Sequence, residues 1–408
     1  MRSTTRRLLA VALAFAAVLG VGTGHAQTTA APLKIGLMAD QSGPYADNGG
    51  PGSVAAARMA IEDFGGTVLG RKIELVVADD QNKPDIGTAI ARKWLDVDGV
   101  ETIVTGSASS VAFGLQEQAN RHGKPFLVAG SGSSDFTGKS CSPMTIQFIY
   151  DTYSMPNATV GSMLDDGKDT WFLIHVDYAF GAALVRETTH FIEAAHGKVL
   201  GVVSHPLGTA DFGAILLQAQ ASPAKVIGLA SAGDDLVNLL KQAREFGIAK
   251  SGKAVVGIAP SFIVIHAAGA EAAQGLLLST PFYWDLTDAT RAWTKRYRQA
   301  FRDRAPDFIQ AGTYSAVLHY LKGVQAAGTT DGPTVVAKMK ALPINDFEMT
   351  DVHIREDGTA MRPMYLMQVK TPAQSTGPDD LYRLVRTVPA ERAWRPMSEG
   401  GCGFIAKK

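Results

Sequence analysis

The hydrophobic pattern of this chain alternates between short apolar runs and amphipathic segments. Apolar residues recur every three or four positions from Val54 to Phe64, which predicts a helix, and similar segments follow at Ile86–Leu95 and Ala108–Ala119. Continuous apolar runs predict buried strands at Leu33–Ala39, Ile73–Ala78, Thr102–Thr105 and Phe126–Ala129. This β-α-β-α-β-α-β order predicts a parallel sheet with helices on both faces.

A second set of the same kind begins near Asp151. Strands are predicted at Trp171–Val176, Val199–Ser204, Val226–Leu229 and Ala254–Ile258, and helices at Asn157–Leu164, Gly181–Ala195, Phe212–Gln220 and Asp234–Phe246. Later segments are predicted as helices Asp288–Arg304, Ala311–Ala327 and Thr334–Ala341 and strand Tyr365–Val369. These segments are too few to form a third domain, so we expect them to complete the two lobes that the first two sets of elements form. The Pro-, Gly- and Ser-rich tail after Thr371 is expected to be irregular.

Together these elements predict an α/β fold of two Rossmann-like lobes, each with a parallel central sheet. The loops at the carboxyl ends of both sets of strands would then face one cleft. Ligands bind outside such strand ends, where helix N-termini collect. The sequence therefore predicts a binding site between the lobes.

The composition limits the kinds of molecule that we expect this protein to bind. The chain has 408 residues, with 39 basic and 39 acidic side chains. Since there is no basic excess, we expect no nucleic acid as a partner. Only 19% of the residues are charged and 46% are hydrophobic, which excludes a disordered chain.

The first 26 residues have the pattern of a secretory signal peptide. Arg2, Arg6 and Arg7 precede an apolar run from Leu8 to Leu19, and Gly24-His25-Ala26 provides small residues for cleavage after Ala26. The run is shorter than a membrane span needs. We therefore expect an exported protein.

Export changes the meaning of the two cysteines, Cys141 and Cys402. In an oxidising compartment a pair of cysteines tends to form a disulfide. A bond between them would fasten the C-terminal tail to the body of the protein. The alternative is two separate thiols, either buried or free.

No motif in the sequence supports catalysis. There is no Walker loop and no H-E-x-x-H zinc motif. The letters Gly50-Pro51-Gly52-Ser53-Val54-Ala55 match a dinucleotide fingerprint, but they lie about ten residues beyond the preceding strand, whereas the fingerprint needs a tight strand-to-helix turn. The run Gly130–Ser134 does not match the G-x-S-x-G nucleophile motif. We expect no enzymatic activity, no cofactor and no metal.

Two glycine–serine loops follow neighbouring predicted strands and offer binding chemistry instead. One contains Ser109 and Ser110 at the start of a helix, and the other contains Gly130, Ser131, Gly132 and Ser133. Serine hydroxyls and unpaired backbone N–H groups at a helix N-terminus suit a carboxylate. Ordinary helix capping by serine is the alternative.

Aromatic side chains are concentrated where the chain is expected to pass between the lobes or leave a strand. Aromatic walls with a few polar groups are typical of small-ligand clefts. The candidates are Tyr150, Tyr153, Tyr178, Phe180, Tyr283 and Trp284, with Asp151 beside the first pair.

Several segments, spread in order over nearly the whole mature chain, resemble periplasmic solute-binding proteins of the branched-chain amino acid (Leu/Ile/Val) ABC transporter family. They are Lys34-Ile35-Gly36, Ser42-Gly43-Pro44-Tyr45, Gly70–Leu75, Asp79-Asp80-Gln81, Asp177–Gly181, Pro206–Phe212 and Leu240–Gly247. The resemblance implies the type I periplasmic binding fold, in which three crossings join two lobes that close on a solute. It also implies a periplasmic protein that delivers its solute to membrane permease subunits, and we expect a monomer. The lobes are expected at 33–150 plus 285–360, and at 151–284 plus 361–408.

The resemblance also implies roles for individual residues. Ser110 falls where the family binds the ligand carboxylate, Gly130–Ser133 where it holds the α-amino acid, and Phe180 at an aromatic wall. Tyr45 belongs to the matching Ser42–Tyr45 segment, and Asn48 stands where amino-acid binders often carry an aromatic residue.

One departure from the family pattern concerns the ligand. Ala259 or Pro260 stands where the family has the acidic partner of the ligand ammonium. Because a buried ammonium without a carboxylate is costly, a simple α-amino acid is disfavoured, unless Asp151 serves as the partner.

The aromatic crossings, the cysteine pair and the long tail resemble a subgroup of this family associated with aromatic carboxylates and related organic acids. That resemblance implies a ring held between Tyr153, Tyr178 and Trp284, with the carboxylate on Ser110. The alternatives are a branched-chain or other amino acid binder and a ligand-sensing periplasmic receptor partner.

Overall fold

The computed structural model describes residues 30–405. The predicted signal peptide and its cleavage site lie outside these residues. Within them, no helix combines the length and the apolar character needed to cross a membrane.

Three sheets organise the chain. Their strands are β1 Leu33–Ala39, β2 Thr67–Val68, β3 Arg71–Asp79, β4 Val100–Thr105, β5 Phe126–Val128, β6 Thr145–Gln147, β7 Thr170–Val176, β8 Lys198–His205, β9 Val226–Ala230, β10 Ala254–Gly257, β11 Leu277–Thr280, β12 Met364–Val369 and β13 Tyr382–Val388. The first sheet has the order β2-β3-β1-β4-β5-β6, in which β2 is antiparallel and the other strands are parallel. The second sheet, β10-β9-β7-β8, is entirely parallel, and the third, β11-β12-β13, is antiparallel.

Helices cover the parallel sheets, as the alternating pattern predicted. They are α1 Ala46–Gly49, α2 Pro51–Phe64, α3 Pro84–Lys93, α4 Ser109–Arg121, α5 Ser154–Asp165, α6 Ala179–Ala194, α7 Gly213–Ala221, α8 Gly233–Glu245, α9 Phe262–Ala268, α10 Ala270–Ala273, α11 Asp288–Ala300, α12 Phe308–Ala327, α13 Gly332–Ala341 and α14 Ala390–Ala393. The predicted helices and strands are present, with ends shifted by a few residues.

The hydrophobic core divides between the sheets. One side of the first sheet packs on α2, α12 and α13, and the other side packs on α3 and α4. The second sheet shares its core with α5, α6, α8 and α9, and the third sheet packs against α5. We call the first sheet with its helices the first lobe, and the other two sheets with theirs the second lobe.

The chain passes between the lobes after β6, after β11 and before β12. This is the two-lobe α/β fold with a three-crossing hinge that the sequence predicted. The residue boundaries given above for each lobe stay a prediction.

The tail is where the prediction of irregular structure was wrong. Residues Tyr382–Val388 form β13, which pairs with β12 at the edge of the third sheet. Most of its side chains are exposed, so the segment lacks the alternation of buried residues that marks a strand in sequence. The disulfide prediction is confirmed, since Cys141 and Cys402 are bonded.

Candidate functional site

A small cavity lies where loops of both lobes meet. Loops after four strands of the first lobe and two of the second converge there, which follows from the parallel order of the sheets. Its wall is formed by Tyr45, Asn48, Gly106, Ser107, Ala108, Ser109, Gly130, Ser131, Gly132, Tyr150, Tyr178, Phe180, Ala232 and Ile309. The structure therefore brings together nine of the residues singled out in the sequence, from both lobes.

The start of α4 supplies backbone donors to this cavity. Val111 and Ala112 donate their N–H groups to the carbonyl of Ala108, which closes the first turn. The N–H groups of Ser109 and Ser110 have no carbonyl four residues back within the helix, and among the described residues they have no partner. This helix end therefore presents unpaired donors and the positive end of the helix dipole.

Serine hydroxyls hold the two glycine–serine loops together. Ser131 Oγ donates to the carbonyl of Ser107 (2.5 Å), and Ser109 Oγ accepts from the N–H of Ser133 (3.2 Å). A side chain at Gly130 would place its Cβ 2.7 Å from the backbone of Gly106, so the close approach of the loops needs glycine there. These serines thus fix the shape of the site.

Aromatic rings form the rest of the wall. Tyr150 donates its hydroxyl to the carbonyl of Gly130 (2.8 Å) and packs edge-on against Phe308. Burial raises the pKa of Tyr150 well above its usual value, so the hydroxyl stays protonated. Tyr178 and Phe180, at the start of α6, stack on each other and close the cavity from the second lobe.

Direct contacts join the lobes beside the cavity. The hydroxyls of Tyr45 and Tyr178 lie 3.1 Å apart, and Ser261 Oγ donates to the side-chain oxygen of Asn48 (2.6 Å). The lobes are therefore closed, and the cavity left between them has a volume of only about 30 Å³. That volume admits about two water molecules. A solute enters only when the lobes or the aromatic side chains move.

No charged side chain lies in the wall of the cavity. Carboxylates close to the wall have other partners: Asp80 accepts the hydroxyl of Ser107, Asp40 accepts the N–H groups of Gly43 (2.6 Å) and Tyr45 (2.8 Å), and Asp235 accepts the N–H of Gly208 (3.0 Å). Burial raises the pKa of Asp235 to about 6. The described residues also contain no group of three or more His, Cys, Asp or Glu placed to hold a metal ion.

Seven residues singled out in the sequence lie outside the cavity wall: Ser110, Ser133, Asp151, Tyr153, Ala259, Tyr283 and Trp284. Asp151 accepts the N–H groups of Tyr153 (3.1 Å) and Ser154 (2.6 Å) at the start of α5. The hydroxyl of Tyr283 and the indole N–H of Trp284 both donate to the carbonyl of Asp379. The structure thus does not place a ring-binding slot between Tyr153, Tyr178 and Trp284.

Five residues of the wall were missed in the sequence. Gly106, Ser107 and Ala108 belong to the same loop as Ser109, so its strand-end position was the available signal. Ala232 follows β9, and Ile309 belongs to α12. Neither of these two carries a local signal, because alanine and isoleucine are ordinary core residues.

A larger cavity of about 640 Å³ lies in the second lobe, lined by parts of α8, α10 and β10. It includes Ala254 at the first residue of β10, so it opens at the amino end of that parallel strand. The small interlobe cavity is the better candidate, because both lobes and both glycine–serine loops contribute to it.

A family model and the solved structures that resemble this chain agree on the kind of protein. A family model described as periplasmic binding protein matches residues 32–377. The chain is similar to a periplasmic binding protein from Burkholderia mallei, with 42% identity, a TM-score of 0.89 and coverage of 91% of this chain and 98% of the other. A branched chain amino acid ABC transporter periplasmic ligand-binding protein from Burkholderia xenovorans is 36% identical, with a TM-score of 0.80 and coverage of 91% and 99%.

A more distant structure shares the fold. The solute binding protein of an ABC transporter from Rhodopseudomonas palustris, in complex with 3,4-dihydroxy benzoic acid, has a TM-score of 0.80 and 21% identity. The similarity covers 88% of this chain and 98% of that chain.

Proposed function

Because the chain belongs to the periplasmic binding protein family, we propose that its interlobe cavity binds a small aromatic or other organic carboxylate for import. The chain is a periplasmic substrate-binding protein of an ABC transporter, with a small-molecule ligand and permease subunits as partners. The family and its structural neighbours are solute-binding proteins rather than enzymes. The identity of the solute is the part that we propose.

The donors at the start of α4 support a carboxylate. The unpaired N–H groups of Ser109 and Ser110 belong to one helix end, and Ser131 and Gly132 line the same cavity as Ser109. Backbone N–H groups at a helix N-terminus bind an anion without a basic side chain. We propose that the carboxylate lies here, with Ser109 rather than Ser110 contributing its side chain to the wall.

The observation that carries the proposal is the absence of any acidic side chain from the cavity wall. An α-amino acid would bury its ammonium there without a carboxylate partner, which is costly. Asp151 accepts N–H groups at the N-terminus of α5, and Ala259 is buried but is not part of the wall. A ligand with a carboxylate and no ammonium fits these side chains better.

The rings in the wall support an apolar or aromatic body on the ligand. Tyr150, Tyr178 and Phe180 offer faces and edges on which a ring could stack. The distant fold relative with 3,4-dihydroxy benzoic acid indicates that the fold accommodates such a molecule. We propose that hinge motion admits the ligand and that the closed form is recognised by the permease.

A thermal-shift screen of the mature protein tests the proposal, with tryptophan fluorescence as the second readout. The panel is benzoate, 3,4-dihydroxybenzoate, an aliphatic carboxylate, leucine, valine and benzamide. Ligand at 100 times Kd should stabilise the protein by about 2.7 kcal/mol. We expect carboxylates without an ammonium to raise the melting temperature, and benzamide, which lacks the negative charge, to have little effect.

Tight binding of leucine or valine would instead favour the amino-acid ligand that the name of the Burkholderia xenovorans relative suggests. In that case Asp151→Asn becomes the informative variant, because Asp151 would have to be the ammonium partner. A protein that binds none of the panel would contradict the proposed class of ligand.

A further inference from the structure

The C-terminal segment Pro389–Ile405, which we call the strap, leaves the edge of the third sheet and runs along the hinge. It contains α14. Asn157 of α5 donates its side-chain amide to the carbonyls of Arg392 (2.6 Å) and Ala393 (3.1 Å). The indole N–H of Trp394 donates to the carbonyl of Arg362 (2.8 Å), in the crossing before β12. Ala393 and Trp394 are buried, so this part of the strap is packed onto the second lobe and the hinge.

The far end of the strap is attached to the first lobe. Cys402 is bonded to Cys141, which lies between β5 and β6 of the first sheet. Arg355, whose segment is linked to β6 through the bridge between Gln147 and Thr359, donates to the carbonyl of Arg395 (2.9 Å). The strap therefore starts on the second lobe and ends, covalently, on the first.

Arg395 lies at the point where the strap passes the ligand cavity. Its Nη2 donates to the carbonyl of Ser134 (2.8 Å), and its Nη1 is 3.5 Å from Oε1 of Glu187. Ser134 Oγ also donates to Glu187 (2.7 Å). The side chains of Arg395 and Glu187 are 13% and 7% exposed, so these charges are largely shielded from solvent.

Both partners of Arg395 belong to segments that also contribute residues to, or begin at, the cavity wall. Ser134 ends the loop whose Gly130, Ser131 and Gly132 line the cavity, and Glu187 belongs to α6, which begins next to Tyr178. One side chain of the strap thus joins a first-lobe loop to a second-lobe helix.

We propose that the strap is a fourth link between the lobes and that Arg395 is a positioning residue for the Gly130–Ser134 loop. Arg395 does not touch the cavity; it acts through Ser134 and Glu187. This inference rests on the proposed location of the binding site, but not on the identity of its ligand.

Hydrogen–deuterium exchange of the full mature protein tests the positioning role, with Arg395→Gln as the variant. Arg186 remains 2.7 Å from Glu187 and keeps its charge paired, so the variant should fold. The matched control is Arg383→Gln, on exposed β13, where the guanidinium contacts Gln368. The Cys141→Ser/Cys402→Ser variant removes the covalent end of the strap.

We expect Arg395→Gln and the double serine variant to speed exchange of the Ser133–Phe136 amides by about tenfold or more, because local opening governs exchange there. In Arg395→Gln, exchange in β9, which is remote from the strap, should be unchanged. Arg383→Gln should match the wild type. Unchanged exchange at Ser133–Phe136 in Arg395→Gln, or an equal increase in β9, would overturn the positioning role.

Benzoate dissociation provides the second readout. If benzoate binds the wild type, Arg395→Gln should release it faster than Arg383→Gln does. If benzoate does not bind, that result counts against the proposed class of ligand, while the exchange comparison still decides the role of the strap.

Discussion

The close approach of three loops at the cavity depends on single residues, and Gly132 shows this most directly. A Cβ at Gly132 would lie 2.5 Å from Tyr150 and 2.7 Å from Phe180, shorter than any normal carbon–carbon contact. Tyr150 and Phe180 belong to the wall, and Phe180 comes from the second lobe. The absent side chain is therefore what lets the second lobe close against the loop of the first.

We expect Gly132→Ala to weaken ligand binding by tenfold or more, a loss of about 1.4 kcal/mol, because the added methyl group holds Phe180 away from the loop. Titration of the ligand found in the thermal-shift screen measures the effect. Gly377→Ala is the matched control, since no atom lies within 4 Å of a Cβ at Gly377. Equal affinities of the two variants would show that this contact does not limit closure.

Among the elements, α12 connects the core of the first lobe to the site. Its N-cap, Asp307, is buried and accepts the N–H of Phe308 (2.6 Å), while Gln310 Oε1 accepts the N–H of Asp307 (2.7 Å), which completes a capping box. Gln310 also donates to the carbonyl of Asn48 (2.7 Å), and Ile309 lines the cavity. The start of this helix therefore supports both lobe stability and the cavity wall.

The cap of α12 should make stability depend on pH. Burial raises the pKa of Asp307 to about 6, above its ordinary value near 4. Below pH 4 the carboxyl is protonated in both the folded and the unfolded chain. Between pH 4 and 6 the unfolded chain ionises first, so the stability that this group contributes is lost as the pH rises through 6.

Urea unfolding of the wild type and Asp307→Asn between pH 4 and 7 measures this dependence. The free energy of unfolding of the wild type, relative to the variant, should fall by about 3 kcal/mol over that range. Asp307→Ser, which retains a cap acceptor but has no carboxyl, should follow the Asn variant. A constant difference between wild type and Asn variant at every pH would contradict a raised pKa.

For the whole molecule, the disulfide is the covalent bond that joins distant parts of the described chain, with a sequence separation of 261 between its cysteines. It joins the tail of the second lobe to a loop of the first, so it restricts the unfolded chain as well as the relative motion of the lobes. None of the three crossings of the hinge contains a disulfide bond.

Reduction should therefore destabilise the protein substantially. On the chain-entropy account, closing a loop of this length contributes about 5–6 kcal/mol to the free energy of unfolding. Urea unfolding with and without reductant should show a clear fall in the midpoint for the wild type. The Cys141→Ser/Cys402→Ser variant should unfold at the lower midpoint in both conditions, and a reductant effect on that variant would point to another cause.

The sequence by itself determined the class of fold and the kind of protein. Buried strands such as Leu33–Ala39 alternate with amphipathic helices, and this periodicity depends only on neighbouring residues. The family followed from short segments in order along the chain. The glycine–serine loops could be placed near the cleft because parallel strands put their carboxyl ends on one edge.

Only the tertiary structure decided which side chains meet. Ser109 and Ser110 are adjacent in sequence, but the turn of α4 places only Ser109 in the wall. The indole N–H of Trp284 donates to the carbonyl of Asp379, while Ile309 of α12 lines the cavity. Sequence patterns report which face of an element is apolar, whereas contacts between distant elements depend on how the lobes pack, and that information is not local.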